Sequence, residues 1–197
     1  MCSSDLLCPM MLRAFIAITP PPTLQHTVAQ LREVLQPLPL PWRWVTPAQI
    51  HLTLKFLGNV PITQVTMIAQ AMTCAAQGQT AFTLCAQSLG CFPHPSRPHV
   101  LWVGLVDPSQ ALAHLTERLS AVLIPVGFPP EDRPFHPHLT LARVQNGRRS
   151  NQLLPILQAY QNRCFGEFAV TQLHLFQSEL QRGGVLHIIL RSVTLQN

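Results

Sequence analysis

The chain is 197 residues long with 47% hydrophobic and only 11% charged side chains. That is apolar material enough for one large domain or two small lobes, and too much for a disordered chain. The net charge of +5 rests on twelve arginines and one lysine, Lys55; guanidinium forks suit bidentate phosphate recognition, so the balance is compatible with an anionic substrate without requiring one. No uncharged apolar span reaches membrane-crossing length, and the first ten residues lack the basic start and apolar run of a signal peptide. A cytoplasmic protein with no membrane partner is expected, with a flexible N-terminal extension over 1–10 and one domain over 11–197. The six cysteines form no CxxC pair, which argues against a zinc site or disulfide framework and for buried free thiols.

An apolar run over 12–18 reads as a strand. Leu24, Val28, Leu31 and Leu35 then recur at helical spacing. His51-Leu52-Thr53-Leu54 sits in a strand-like stretch, followed by a helix candidate over 63–76 and a strand over 82–89. The sequence then runs through similar elements again. A strand over 99–105 precedes a helix marked by Leu112, Leu115, Leu119 and Leu123, and the tetrapeptide returns as His138-Leu139-Thr140-Leu141. A helix over 150–160 and a strand over 168–176 follow, and a last strand over 185–195 forms a hairpin across Arg182-Gly183-Gly184. The 19 prolines concentrate in the connections.

The two tetrapeptides lie 138 − 51 = 87 residues apart, and sliding the sequence by that offset brings the flanking elements into register. The expected fold is therefore α+β and duplicated: a bilobal domain of two interleaved β-α-β-α-β repeats. Its two antiparallel sheets, flanked by helices, would surround a central cleft with pseudo-two-fold symmetry. Side chains alternate along a strand, so each tetrapeptide turns its His and Thr to one face and its two Leu to the other. Paired motif strands would surround one spot with two imidazoles and two hydroxyls. Histidine titrates near neutrality, so one of the pair can be neutral and the other charged, the requirement for acid–base chemistry on a phosphate without a metal.

The paired His-x-Thr motifs are joined by Arg13-Ala14-Phe15-Ile16-Ala17-Ile18, by Lys55-Phe56-Leu57-Gly58 after the first motif, by Val100-Leu101-Trp102-Val103-Gly104, by Pro137 before the second motif with Ala142-Arg143 after it, and by Ser178-Glu179-Leu180. Together, over about 11–195, they resemble the two-histidine (2H) phosphoesterase superfamily, and within it the bacterial RNA 2',3'-cyclic phosphodiesterases, also called 2'-5' RNA ligases. The resemblance implies hydrolysis of a 2',3'-cyclic phosphate to a 2'-phosphomonoester without metal or other cofactor. His138 would be the proton acceptor that activates water and His51 the proton donor to the leaving 3' oxygen. The partner would be RNA bearing a 2',3'-cyclic phosphate end, or a cyclic nucleotide, bound by a monomer. Thr53 and Thr140 would donate to the non-bridging phosphoryl oxygens.

The resemblance also places an arginine in the site, which assigns Arg143 to phosphate or ribose, although by strand parity it reaches the cleft only if the strand ends or bulges near it. Lys55 shares the parity of His51 and would point into the cleft. Phe15 and Trp102 coincide under the offset; Phe15 is assigned as a stacking surface for a base, and Trp102 reads better as core. Arg148 and Arg149 could track an RNA backbone, and His99 could bind substrate. His26, His94, His114, His174 and His187 have no partner pattern. Three other readings remain: 2'-5' end joining at the same site, non-catalytic binding of phosphorylated RNA ends, and a metal held by His136 and His138. The last is disfavoured because the neighbouring Glu131 and Asp132 lie beyond Pro134 in a turn-like stretch.

Overall fold

The computed structural model describes residues 10–144, 151–182 and 184–196. Most of the proposed N-terminal extension, together with Arg148, Arg149 and Gly183, lies outside the described residues. In chain order the elements are β1 (Met11–Ile18), α1 (Pro22–Ala29), α2 (Leu31–Leu35), β2 (Trp42–Trp44), β3 (Leu52–Pro61), α3 (Val65–Ala76), β4 (Phe82–His94), β5 (Arg97–Val106), α4 (Ala111–Leu123), β6 (His138–Val144), α5 (Leu153–Ala159), β7 (Cys164–Val170), β8 (Gln172–Gln181) and β9 (Gly184–Thr194).

The strands form one antiparallel sheet in the order β7-β4-β5-β6-β3-β1-β8-β9, with β2 paired to β6. The two expected sheets are thus one. They join where Leu52 of β3 lies opposite Leu139 of β6, the only registered pair between the motif strands among the described residues. The single strand expected over 168–176 is two, because Thr171 is where the chain leaves β7, paired with β4, to become β8, paired with β1. An apolar run that continues through such a crossing looks unbroken in sequence.

Period-two alternation sorts the side chains into two layers. Ile16, Ile18, Leu52, Leu84, Leu101 and Leu139 enter the main core together with the inward faces of α1, α3 and α4. Phe15, Ala17 and Phe176 form a separate small cluster on the opposite, helix-free face. Among the described residues the thiols are not buried as expected: Cys74 and Cys164 are exposed, while Cys85 and Cys91 are half-buried at the sheet, and Cys2 and Cys8 lie outside the described residues.

Trp102, expected in the core, packs elsewhere. Its cross-strand partner is Gly90 of β4, and a Cβ added there would stand 2.2 Å from the indole, so the ring lies flat across the glycine. Gly90→Ala is expected to force the ring out of that position and to destabilise the protein by about 1–3 kcal/mol, the usual range for overpacking. Urea unfolding followed by tryptophan fluorescence measures it.

Candidate active site

Counting outward from the Leu52–Leu139 pair sets His51 against Thr140 and Thr53 against His138, all four on the face away from the leucines. The burial agrees: both leucines are fully enclosed, and the four polar residues are half-buried. The sheet thus brings together His51, Thr53, His138 and Thr140.

Each imidazole is oriented by its own chain. His51 Nδ1 lies 2.7 Å from the carbonyl of Gln49, and His138 Nδ1 lies 2.6 Å from the carbonyl of His136, two residues back in both cases. A carbonyl only accepts, so Nδ1 carries the hydrogen in both rings and Nε2 is left to react. The chain entering the first motif is held in turn. The buried Gln25 on α1 donates from Nε2 to the Ile50 carbonyl at 2.9 Å, and Gln49 Nε2 donates to the Val185 carbonyl of β9.

The surroundings are aromatic. His51 stacks on Phe15 with centroids 4.9 Å apart, and Phe176 stacks on Phe15 at 5.2 Å while lying 6.2 Å from His51. Phe15 is only 4% exposed, so it offers no face to a base, contrary to its assignment as a stacking platform. It is a floor under His51. His138 meets Phe92 edge-on at 5.1 Å and lies 6.2 Å from Trp102, which also approaches His136 at 6.3 Å. Trp102 therefore belongs to the histidine face. The sheet's register differs from the 87-residue alignment of Phe15 with Trp102: Thr53 faces Ala17, while Thr140 faces Trp102.

A bulge after each motif decides which side chains follow the histidines. In β3 the register skips Leu54, so Lys55 pairs with the core residue Ile16, and Phe56 pairs with Phe15. Lys55 is consequently turned away from the site, against expectation. Its ammonium donates to the Pro129 carbonyl at 2.6 Å and lies 3.9 Å from a Glu131 oxygen. In β6 the register skips Leu141, so Ala142 joins the core and Arg143 returns to the side of His138 and Thr140. The condition set for Arg143 by strand parity is met, and its charge reaches both imidazoles. Phe56, at the corresponding place in β3, is 60% exposed.

One residue that the sequence reading passed over lies in the site. His187 on β9 stands edge-on to both Phe15 and His51, at 5.0 Å from each. A single histidine in an apolar terminal strand carries no spacing signal, and only the pairing of β8 with β9 brings it in. His99 makes no contact with the histidine pair among the interactions observed, and no group of three or more His, Cys, Asp or Glu side chains among the described residues is arranged to hold a metal.

Burial pushes the His51 imidazole down from 6.5 to about 4; the charges of His187, His138 and Arg143 act the same way, against the Gln49 hydrogen bond. His138 is also lowered, mainly by burial and then by His136 and Arg143. Both rings are neutral at physiological pH, and each Nε2 keeps a free lone pair.

A family model described as the 2'-5' RNA ligase superfamily matches residues 20–182. The chain belongs to this superfamily. Among other superfamily proteins, an Aeropyrum pernix protein named RNA 2',3'-cyclic phosphodiesterase is 31% identical over 166 residues, 84% of this chain and 93% of that one. A Methanothermobacter thermautotrophicus protein of the same name is 29% identical over 90% of this chain and 96% of its own length. The fold is likewise similar to that of Escherichia coli LigT in complex with 3'-AMP, with a TM-score of 0.75, 27% identity, and coverage of 95% of this chain and 100% of that one.

The displaced histidines make stability depend on pH. His51, His138, His174 and His187 are all lowered in the fold, chiefly by burial. The unfolded chain therefore binds more protons than the folded one between about 6.5 and the lowered values, and stability is lost as pH falls through that window. The melting temperature is expected to hold above pH 7 and to drop as pH falls from about 6.5 to about 4. NMR titration of the ring protons is expected to put His51 near 4.

Proposed function

We propose that this chain is a metal-independent RNA 2',3'-cyclic phosphodiesterase in which His51 and His138 form the acid–base pair. The observation that carries the reading is that both imidazoles lie on one face of the sheet with the same nitrogen tied back to the chain and the same nitrogen free. The matching roles of the motif strands suggest an approximate two-fold arrangement about the Leu52–Leu139 pair. The names carried by the superfamily relatives support the substrate class.

In this mechanism His138 Nε2 takes a proton from water as its oxygen bonds to phosphorus. The bond from phosphorus to the ribose 3' oxygen breaks, and protonated His51 supplies the proton to that oxygen, leaving the 2'-phosphomonoester. His51 is neutral in the empty site; the anionic phosphate favours the charged imidazole and raises its pKa on binding. Thr53 and Thr140 donate hydroxyl hydrogen bonds to the non-bridging oxygens, and Arg143 adds a guanidinium to the charge that accumulates there. Phe15 holds His51 in place beneath its ring, and the exposed Phe56 supplies the apolar surface beside the nucleoside.

The test is hydrolysis of a nucleoside 2',3'-cyclic phosphate in the presence of a chelator, with the product read by phosphorus NMR. The 2'-phosphate is expected. His51→Ala and His138→Ala, checked for folding by circular dichroism, should each lose activity on the order of a hundredfold or more. The wild-type kcat/KM should follow a bell whose maximum lies on the acid side of neutrality, since both free-site histidines titrate below their ordinary value. Near-full activity in either alanine variant, or turnover only after a divalent metal is added, overturns the proposal.

A further inference from the structure

On the helix-free face, Arg43 of β2 lies directly opposite Arg143 of β6. The flanking residues fix its direction. Trp42 and Trp44 pack against the main core, and Trp42 Nε1 donates to the Leu35 carbonyl at 3.1 Å, so the residue between them is turned to the other side. Arg43 and Arg143 are both exposed there, and among the described residues neither takes part in an ion pair or a side-chain hydrogen bond. Like charges in a direct cross-strand pair repel. Among the described residues no carboxylate forms an ion pair with either guanidinium to relieve the repulsion. An anion from outside would.

The position says which anion. Arg143 stands three residues past Thr140 on β6, a span of roughly 10 Å along a strand, and its charge acts on both histidines. β2 occupies the same edge of β6 that β3 meets at Leu139, so Arg43 continues the line of His51 away from the reacting centre. An RNA strand that left the histidines in that direction would carry its next phosphate over Arg43.

We propose that Arg43 binds the phosphate adjacent to the cyclic terminus, so that the favoured substrate is an oligoribonucleotide with a 2',3'-cyclic end and not a cyclic mononucleotide. The proposal rests on the phosphodiesterase reading for its first contact and adds a second, separate phosphate subsite.

Its test compares wild type, Arg43→Gln and Arg43→Lys on a nucleoside 2',3'-cyclic phosphate and on a trinucleotide ending in the same cyclic nucleotide. The Gln variant should lose about tenfold more kcat/KM on the trinucleotide than on the mononucleotide, the scale of one charge-assisted hydrogen bond. Its binding to a labelled RNA ending in a 2'-phosphate should show a log–log salt slope shallower by about 0.7, one phosphate contact fewer. The Lys variant should keep that slope and recover part of the affinity, since it retains the charge and loses the fork. Equal losses on both substrates, or no loss on the trinucleotide, overturn the proposal. If the wild type hydrolyses neither substrate, the phosphodiesterase reading fails, and the binding comparison still decides: an unchanged RNA affinity and salt slope in Arg43→Gln removes the subsite.

Discussion

The contact between Leu52 and Leu139 governs the rest of this structure. Both side chains are completely enclosed, and they are the one registered pair between β3 and β6. A slip of either strand by one residue would exchange its leucines for its histidine and threonine, burying polar groups without partners and exposing apolar ones. The hydrophobic layer therefore sets the positions of the imidazoles on the other side. Beyond that single pair the strands separate, β3 continuing with β1 and β6 with β5 and β2, which leaves the polar face open between them.

The environment built on that face is apolar. Phe15, Phe176, Phe92 and Trp102 surround the histidines, and burial dominates the downward displacement of both rings. Desolvation that makes a cationic imidazole costly in the empty site also strengthens its attraction to a phosphate once one arrives. The free protein thus keeps both imidazoles unprotonated at physiological pH, and a bound anion would raise their affinity for a proton.

Much of this was legible in the sequence because it depends on parity and repetition. The His-x-Thr pattern placed the reactive groups on one face and the leucines on the other, and the helices marked by Leu24, Val28, Leu112 and Leu115 are those observed. What was not legible depends on irregularity or on distant pairing. The bulges at Leu54 and Leu141 reverse parity, turning Lys55 inward and Arg143 outward, and nothing in the local composition announces a skipped residue. β2 is three residues long, too short for a periodic signal, and its arginine matters only because of the strand beside it. Phe15 was placed on the correct side but not beneath other rings, since burial on a site face depends on Phe176 and His187, which come from the far end of the chain.

The tether from each Nδ1 to a carbonyl two residues upstream differs from arrangements in which a separate carboxylate orients the imidazole. The acceptor is main chain, present whatever side chain occupies position 49 or 136, so no substitution there short of rearranging the backbone removes it. Each histidine thus arrives in its working tautomer as a property of its own short segment, without recruiting a third residue from elsewhere. A segment of this kind carries its own orientation, and copying the segment copies the aim of the nitrogen along with it.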